Sequence, residues 1–170
     1  MRHYIISAGL KEILEGIGIL KHFHRVFASE YVFDHHGVAV FPKVIINDTI
    51  KTQFIFRINK GREDLRQSIN EYMPEEDRAI PFSNIVYLGD GLTDVPCMTV
   101  TKKNGGYAVA IQRPRVKKSI DTCKRLLEAG RVDFHAPADY RPGKILDKRM
   151  QLILDIIIAQ ILYRKEMHGG

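Results

Sequence analysis

The chain has only two cysteines, Cys97 and Cys123, too few for a disulfide framework. Both thiols are expected to be reduced and the protein to be cytoplasmic. No apolar run approaches the ~18 residues that a membrane span requires, which argues against a membrane partner. The apolar part of Met1-Arg2-His3-Tyr4-Ile5-Ile6-Ser7 is too short for a secretory signal. There is no internal repeat and no low-complexity tract. Asp-x-Asp occurs nowhere. Acids are nearly missing between Val95 and Leu127, where Lys102, Lys103, Arg113, Arg115, Lys117, Lys118, Lys124 and Arg125 stand against Asp121 alone. That local excess is larger than the +6 of the whole chain. Aromatic residues do not interleave with these charges as base stacking would need. The region therefore reads as a solvated helix face and loop, and nucleic acid is not the expected partner.

What is present is globular: 170 residues, 45% hydrophobic and 27% charged, suited to a single compact domain spanning the chain. Short apolar runs alternate with helical stretches, the pattern of an α/β fold with a mostly parallel sheet. Tyr4 to Ile6 reads as a strand ending at Ser7-Ala8-Gly9. Leu10 to Phe23 reads as a helix through Leu10, Ile13, Leu14 and Ile17, weakened at its end by Gly16 and Gly18. Arg25 to Phe33 and Val38 to Phe41 flank the turn Asp34-His35-His36-Gly37 and predict a β-hairpin. Asp48 or Thr49 is expected to cap a helix that runs to about Asn59 and ends at Lys60-Gly61. A short helix is expected around Asp64 to Tyr72. Strands follow at Ile85 to Leu88, Tyr107 to Ile111 and Val132 to His135, with helices from Thr93 and over Val116 to Ala129. The last element, Lys144 to about Arg164, is strongly apolar, with Lys148, Gln151 and Asp155 on one narrow stripe. It predicts a mostly buried helix.

The densest chemistry lies in Gly89-Asp90-Gly91-Leu92-Thr93-Asp94, directly after an apolar strand. In an open α/β sheet ligands bind beyond the carboxyl ends of the strands, so Asp90 belongs in that crevice. A carboxylate there suits Mg2+, which needs few protein carboxylates. Gly89 and Gly91 permit tight backbone angles and close approach of a ligand. Thr93 is placed to cap the next helix, Asp94 to lie in its first turn, and Pro96 is tolerated there. The alternative is that Asp90 and Asp94 only build a turn and a cap. Ser7, followed by Ala8-Gly9, offers a hydroxyl and the next N–H to a phosphate oxygen, or else simply ends a strand. Lys51 lies in a first helical turn, where a cation opposes the helix dipole; neutralising a phosphate or a carboxylate would explain it. Lys60 is the competing lysine, but it sits at a helix end, which the dipole explains. His22, His24, His35 and His36 lack the cysteines or carboxylates that would complete a metal site. Cys97, in the first turns of its helix, is read as a packed, inert thiol.

Ser7, Lys51 and Gly89-Asp90-Gly91-Leu92-Thr93-Asp94, followed by Met98, stand in the order of the second, third and fourth motifs of the haloacid dehalogenase (HAD) superfamily. The last stretch resembles its phosphoserine-phosphatase-like branch. The resemblance implies a Rossmann-like three-layer sandwich and magnesium-dependent hydrolysis of a small phosphorylated molecule through an aspartyl nucleophile. Carried over, Asp90 is a magnesium ligand, and Asp94 orients the lysine or a metal-bound water and belongs to the metal site. Ser7 and Ala8 hold the phosphate, and Lys51 balances its charge. The family's first motif, Asp-x-Asp-x-Thr/Val, has no counterpart here, and neither has the cap that selects substrate. The chain is thus expected to be a truncated core that is inactive alone, with magnesium bound weakly. Completion would come from an N-terminal segment or a partner chain; the alternative is a remnant that binds phosphate or protein. Without the strand of the first motif, either the Tyr4 and Ile85 strands pair directly or a second chain, as in a homodimer, repairs the sheet.

Overall fold

The computed structural model describes residues 1–168. It is a mixed α/β structure with two three-stranded sheets. The chain forms two compact units, one of residues 1–58 and 62–71, the other of 59–61 and the residues from Tyr72 on.

In the first unit, β1 (Tyr4–Leu10) leads through a six-residue helix α1 (Lys11–Gly16) and a 3-10 turn (Leu20–His22) to β2 (Arg25–Phe33). The two strands are parallel, and β2 pairs antiparallel with β3 (Ala39–Val44). The expected hairpin is there. Asp34 Oδ1 accepts the N–H groups of His36 and Val38, which closes the turn. The long helix expected over Leu10 to Phe23 is not. It stops at Gly16, and Gly18 takes a positive φ of 71°, a conformation in which no α-helix continues. Helix α2 (Lys51–Lys60) follows. Its cap is Asn47, whose Oδ1 accepts the Ile50 N–H at 2.9 Å, rather than Asp48 or Thr49. Gly61, at φ 67°, ends it as expected, and the Arg62 N–H bonds back to the Arg57 carbonyl in a Schellman closure.

The short helix expected around Asp64 to Tyr72 does not form; the segment is turns and bends. Two interactions compete with it. The Asp64 carboxylate accepts the Arg66 N–H and the Arg66 guanidinium. The buried Arg57 guanidinium gathers the carbonyls of Arg62, Asp64 and Gln67 at 2.9–3.1 Å. Carbonyls turned inward to one cation cannot also serve a helical ladder. Burial pushes the Arg57 pKa down, opposed by the nearby Asp64.

The second unit is more regular. Strands β4 (Val86–Gly89), β5 (Tyr107–Gln112) and β6 (Phe134–Pro137) alternate with helices α3 (Val95–Lys103) and α4 (Lys117–Glu128), and α5 (Ile145–His168) closes the chain. All strand pairs are parallel. Side chains alternate along β5, as the pleat demands. Ala108 and Ala110 pack with Met98, Cys123, Leu126 and Val132. Val109 and Ile111 pack on the other side with Ala136, Leu146, Ile153 and Ile157. The sheet thus carries α3 and α4 on one face and α5 on the other.

One of the two expected sheet arrangements is excluded here, and the expectation for the last helix is overturned. The strands at Tyr4 and Ile85 do not pair with each other; β1 bonds to β2 and β4 to β5, in separate sheets. Nor is the last helix mostly buried. Among its described side chains only Leu146, Ile153 and Ile157 are buried, while Leu152, Ile156, Ile158, Leu162 and Tyr163 are exposed. The three buried positions repeat at i, i+7 and i+11, the single stripe that a helix lays on a sheet. Lys148, Gln151 and Asp155 are exposed, as their spacing implied. No helix among the described residues is long and apolar enough to cross a membrane.

Candidate functional site

The glycine-aspartate stretch stands at the carboxyl end of β4, as its sequence implies. Gly89 closes the strand opposite Ala110 of β5. A 3-10 turn at Leu92–Asp94 then folds the chain back, and α3 begins at Val95 with Pro96 in its first turn. Gly89 is required by packing: a Cβ there would lie 2.6 Å from both the Asp94 Cβ and the Met98 Cε. Gly91 has no such role. Its φ of −155° is ordinary extended backbone, and a Cβ on it would meet only Thr93 Oγ1 at 4.0 Å.

The two aspartates part company. Asp94 is 6% exposed. Its Oδ1 accepts the Tyr87 hydroxyl at 2.9 Å and its Oδ2 the Asp90 N–H at 3.1 Å. It stands at the N-cap position of α3 without making a capping bond, and Thr93 makes none either. The cap and first-turn roles expected of this pair are therefore not taken. The carboxylate is instead a latch that binds the turn to its own strand. Burial, then Cys97 and Asp94, push the Tyr87 hydroxyl far above its ordinary pKa, so it remains a donor. Cys97 is completely buried, as expected of an inert thiol. Cys123 is buried too, and burial and the Asp90 carboxylate raise its pKa.

Asp90 points outward. Its Oδ2 accepts from Arg113 Nη2 at 3.2 Å, with the two side chains 55% and 71% exposed. Arg113 is the first residue past β5, so neighbouring parallel strands deliver an acid and a base to the same end of the sheet. The half-exposed Asp90 suits a single carboxylate ligand of Mg2+, which otherwise keeps waters and phosphate oxygens. Asp94, with both oxygens engaged inside the turn, does not suit that role. Among the described residues no group of three or more His, Cys, Asp or Glu is placed to hold a metal ion.

Ser7, Ala8 and Lys51 belong to the first unit, Asp90 and Asp94 to the second. Ser7 lies inside β1 rather than at its end, where the pairing with β2 shifts register. Its Oγ accepts the Gly9 N–H at 3.0 Å, and the Ala8 carbonyl accepts from Ser29 Oγ. Lys51 opens α2 and is 7% exposed. The lysine singled out for opposing the helix dipole is thus also a buried one.

Tyr87 and Arg113 escaped the sequence reading. Tyr87 lies two residues before Gly89 and looks like one more strand residue. Arg113 was absorbed into the basic region. Its only signal is positional, a basic residue just past a strand neighbouring the acidic one. The basic region is also partly neutralised, since Lys102 Nζ pairs with Asp133 at 2.7 Å.

No family model matches the chain. It is similar to an uncharacterised protein of Borreliella burgdorferi, with 29% identity over 157 residues. The match covers 82% of this chain and 53% of that protein, so the chain spans about half the length of the relative.

Proposed function

We propose that the chain carries the acidic side of a HAD-type phosphomonoester pocket on a Rossmann-like sheet. The observation that supports this best is the division of labour at the end of β4. One aspartate is presented outward beyond the strand, and a second, four residues on, fixes the loop from inside. A pocket that positions a single charge at a phosphate needs both halves, because a carboxylate on a loose turn would lose its geometry.

In this reading Asp90 holds Mg2+, and the bound ion would neutralise charge on a phosphoryl oxygen. Asp94 acts as a positioning residue through the Asp90 N–H. Ser7, Ala8 and Lys51 belong to the other unit, and their phosphate roles rest on the order of the motifs in the sequence alone. No Asp-x-Asp supplies the nucleophile, so these 170 residues alone are proposed to bind but not to turn over substrate.

The same absence favours a second reading, a non-catalytic phosphate-binding domain. One pair of experiments separates them. Inorganic phosphate with magnesium should raise the melting temperature, and Asp90→Asn should remove the magnesium dependence of the effect. Hydrolysis of p-nitrophenyl phosphate by these residues alone should be absent, and should appear when a segment that carries Asp-x-Asp-x-Thr is supplied if the first reading holds. Turnover by this chain alone, or no protection by phosphate, would refute the proposal.

A further inference from the structure

We propose that the exposed face of α5 is a self-association surface, on which a second copy of this chain lays the same helix antiparallel about a two-fold axis.

α5 carries two apolar stripes, and the sheet accounts for one of them. Leu146, Ile153 and Ile157 are buried against it. Ile145, Leu152, Ile156, Ala159 and Tyr163 form the other, about a third of a turn away around the helix at 3.6 residues per turn. Ala159 is exposed, and the four larger side chains are 47–66% exposed. Their steps of seven, four, three and four residues follow the 3.5-residue repeat of a seam between two helices. Apolar side chains aligned in this way mark a protein contact, whereas scattered ones do not. The Arg164 guanidinium donates to Ser83 Oγ at 3.1 Å and to Asn84 Oδ1 at 3.0 Å. It ties down the last turns of α5, so the stripe keeps facing outward.

The pattern selects the occupant. A two-fold interface must be complementary to itself. Ala159 leaves a hollow between Ile156 and Tyr163, lined also by Gln160 and Arg164. With the axis between Ile157 and Ile158, antiparallel packing sets Ile156 over Ala159 of the other copy and Leu152 against its Tyr163. Large thus meets small at the centre. Charge agrees with shape. Lys148 and Glu166 lie about five turns apart, hence on one flank of the stripe. Both are exposed and have no ion-pair partner among the described residues. The same axis brings Lys148 of each copy opposite Glu166 of the other, so this ion pair forms twice. A parallel arrangement would instead set Lys148 on Lys148 and leave a gap where Ala159 meets Ala159. The contact is a strip about 30 Å long and one helix wide, less than the ~800 Å² per partner of a standard interface. The dimer is therefore weak, forming at micromolar concentrations or above.

The test is sedimentation equilibrium of the whole chain, loaded from micromolar to near-millimolar concentration. The parent should dimerise reversibly, and Ile156→Lys should stay monomeric throughout. Lys148→Glu and Glu166→Lys should each weaken the dimer about three- to thirtyfold, and the variant carrying both reversals should return to the parent's affinity. All three side chains are exposed, so circular dichroism of every variant should match the parent. A parent that is monomeric at all loadings overturns the proposal and leaves the stripe to a different partner. A dimer that survives Ile156→Lys, or a double reversal no tighter than the single ones, overturns it as well.

Discussion

The sheet of β4, β5 and β6 keeps an unbroken parallel register across both of its pairings, whereas the sheet of β1, β2 and β3 shifts register on both sides of β2. The difference follows from burial. Every residue of β5 from Ala108 to Ile111 is buried, on one face or the other. A one-residue slip would exchange the partners of two cores at once, so register is tightly specified. The far half of β2 and most of β3 bury little: Val32, Phe33, Val40 and Phe41 are exposed. A ribbon with little to lose on either face tolerates bulges, and Pro42 adds one more break in its ladder. Precision is thus concentrated in the sheet that leads into Asp90, where the proposed site would need it.

The contrast is testable by mutation. In the two cores that flank the regular sheet, Met98→Ala in α3 or Ile153→Ala in α5 should each cost about 2–5 kcal/mol in urea unfolding, from lost burial plus a cavity. In the irregular one, Phe41→Ala, at a residue 67% exposed, should stay within about 0.5 kcal/mol. Equal losses would mean that the hairpin is buried in solution and the contrast false.

A smaller effect compares the two strand ends. Asp94→Ala should destabilise by about 1–3 kcal/mol, because it strands the Tyr87 hydroxyl and the Asp90 N–H. Ser7→Ala removes only an accessible contact to Gly9 and should cost less than about 0.5 kcal/mol. A Ser7→Ala loss as large as that of Asp94→Ala would show that β1 carries a latch of its own.

The smallest effect concerns pH at the edge of the regular sheet. Burial first, and then Arg149 and Lys124, lower the pKa of His135 below its usual 6.5. The unfolded chain therefore takes up a proton where the folded one resists it. This contribution to stability is present above pH 6.5 and is lost as pH falls through the lowered folded value. Chemical denaturation at stepped pH should show that slope, flattened in His135→Gln. An unchanged slope would mean that β6 is open to water.

The elements with a clean period were legible without coordinates. The three parallel strands, α3, α4 and the turn at Asp34 to Gly37 all stand within a few residues of where patterning puts them. Two of the misses share one cause, a side chain that acts on backbone outside its own place in the pattern. Arg57 draws in the carbonyls of residues 62 to 67 and cancels a helix there. Asp94 turns back to its strand instead of capping α3. The apolar density of α5 suggested burial all round, but a sheet of three strands covers only one stripe of it. In the candidate site, Asp90 was legible from its glycine-flanked position after a strand. Arg113 was not, because its meaning depends on which strand lies next to β4.

Local physics, then, determined the menu from the amino-acid order alone: where helices and strands can form, where glycine must stop them, and that an acidic turn follows β4. Tertiary structure decided which of two similar carboxylates faces inward and which outward. It also decided which basic residue meets the outward one. Those outcomes depend on strand adjacency and on space around Gly89, and neither is a property of any short stretch of chain.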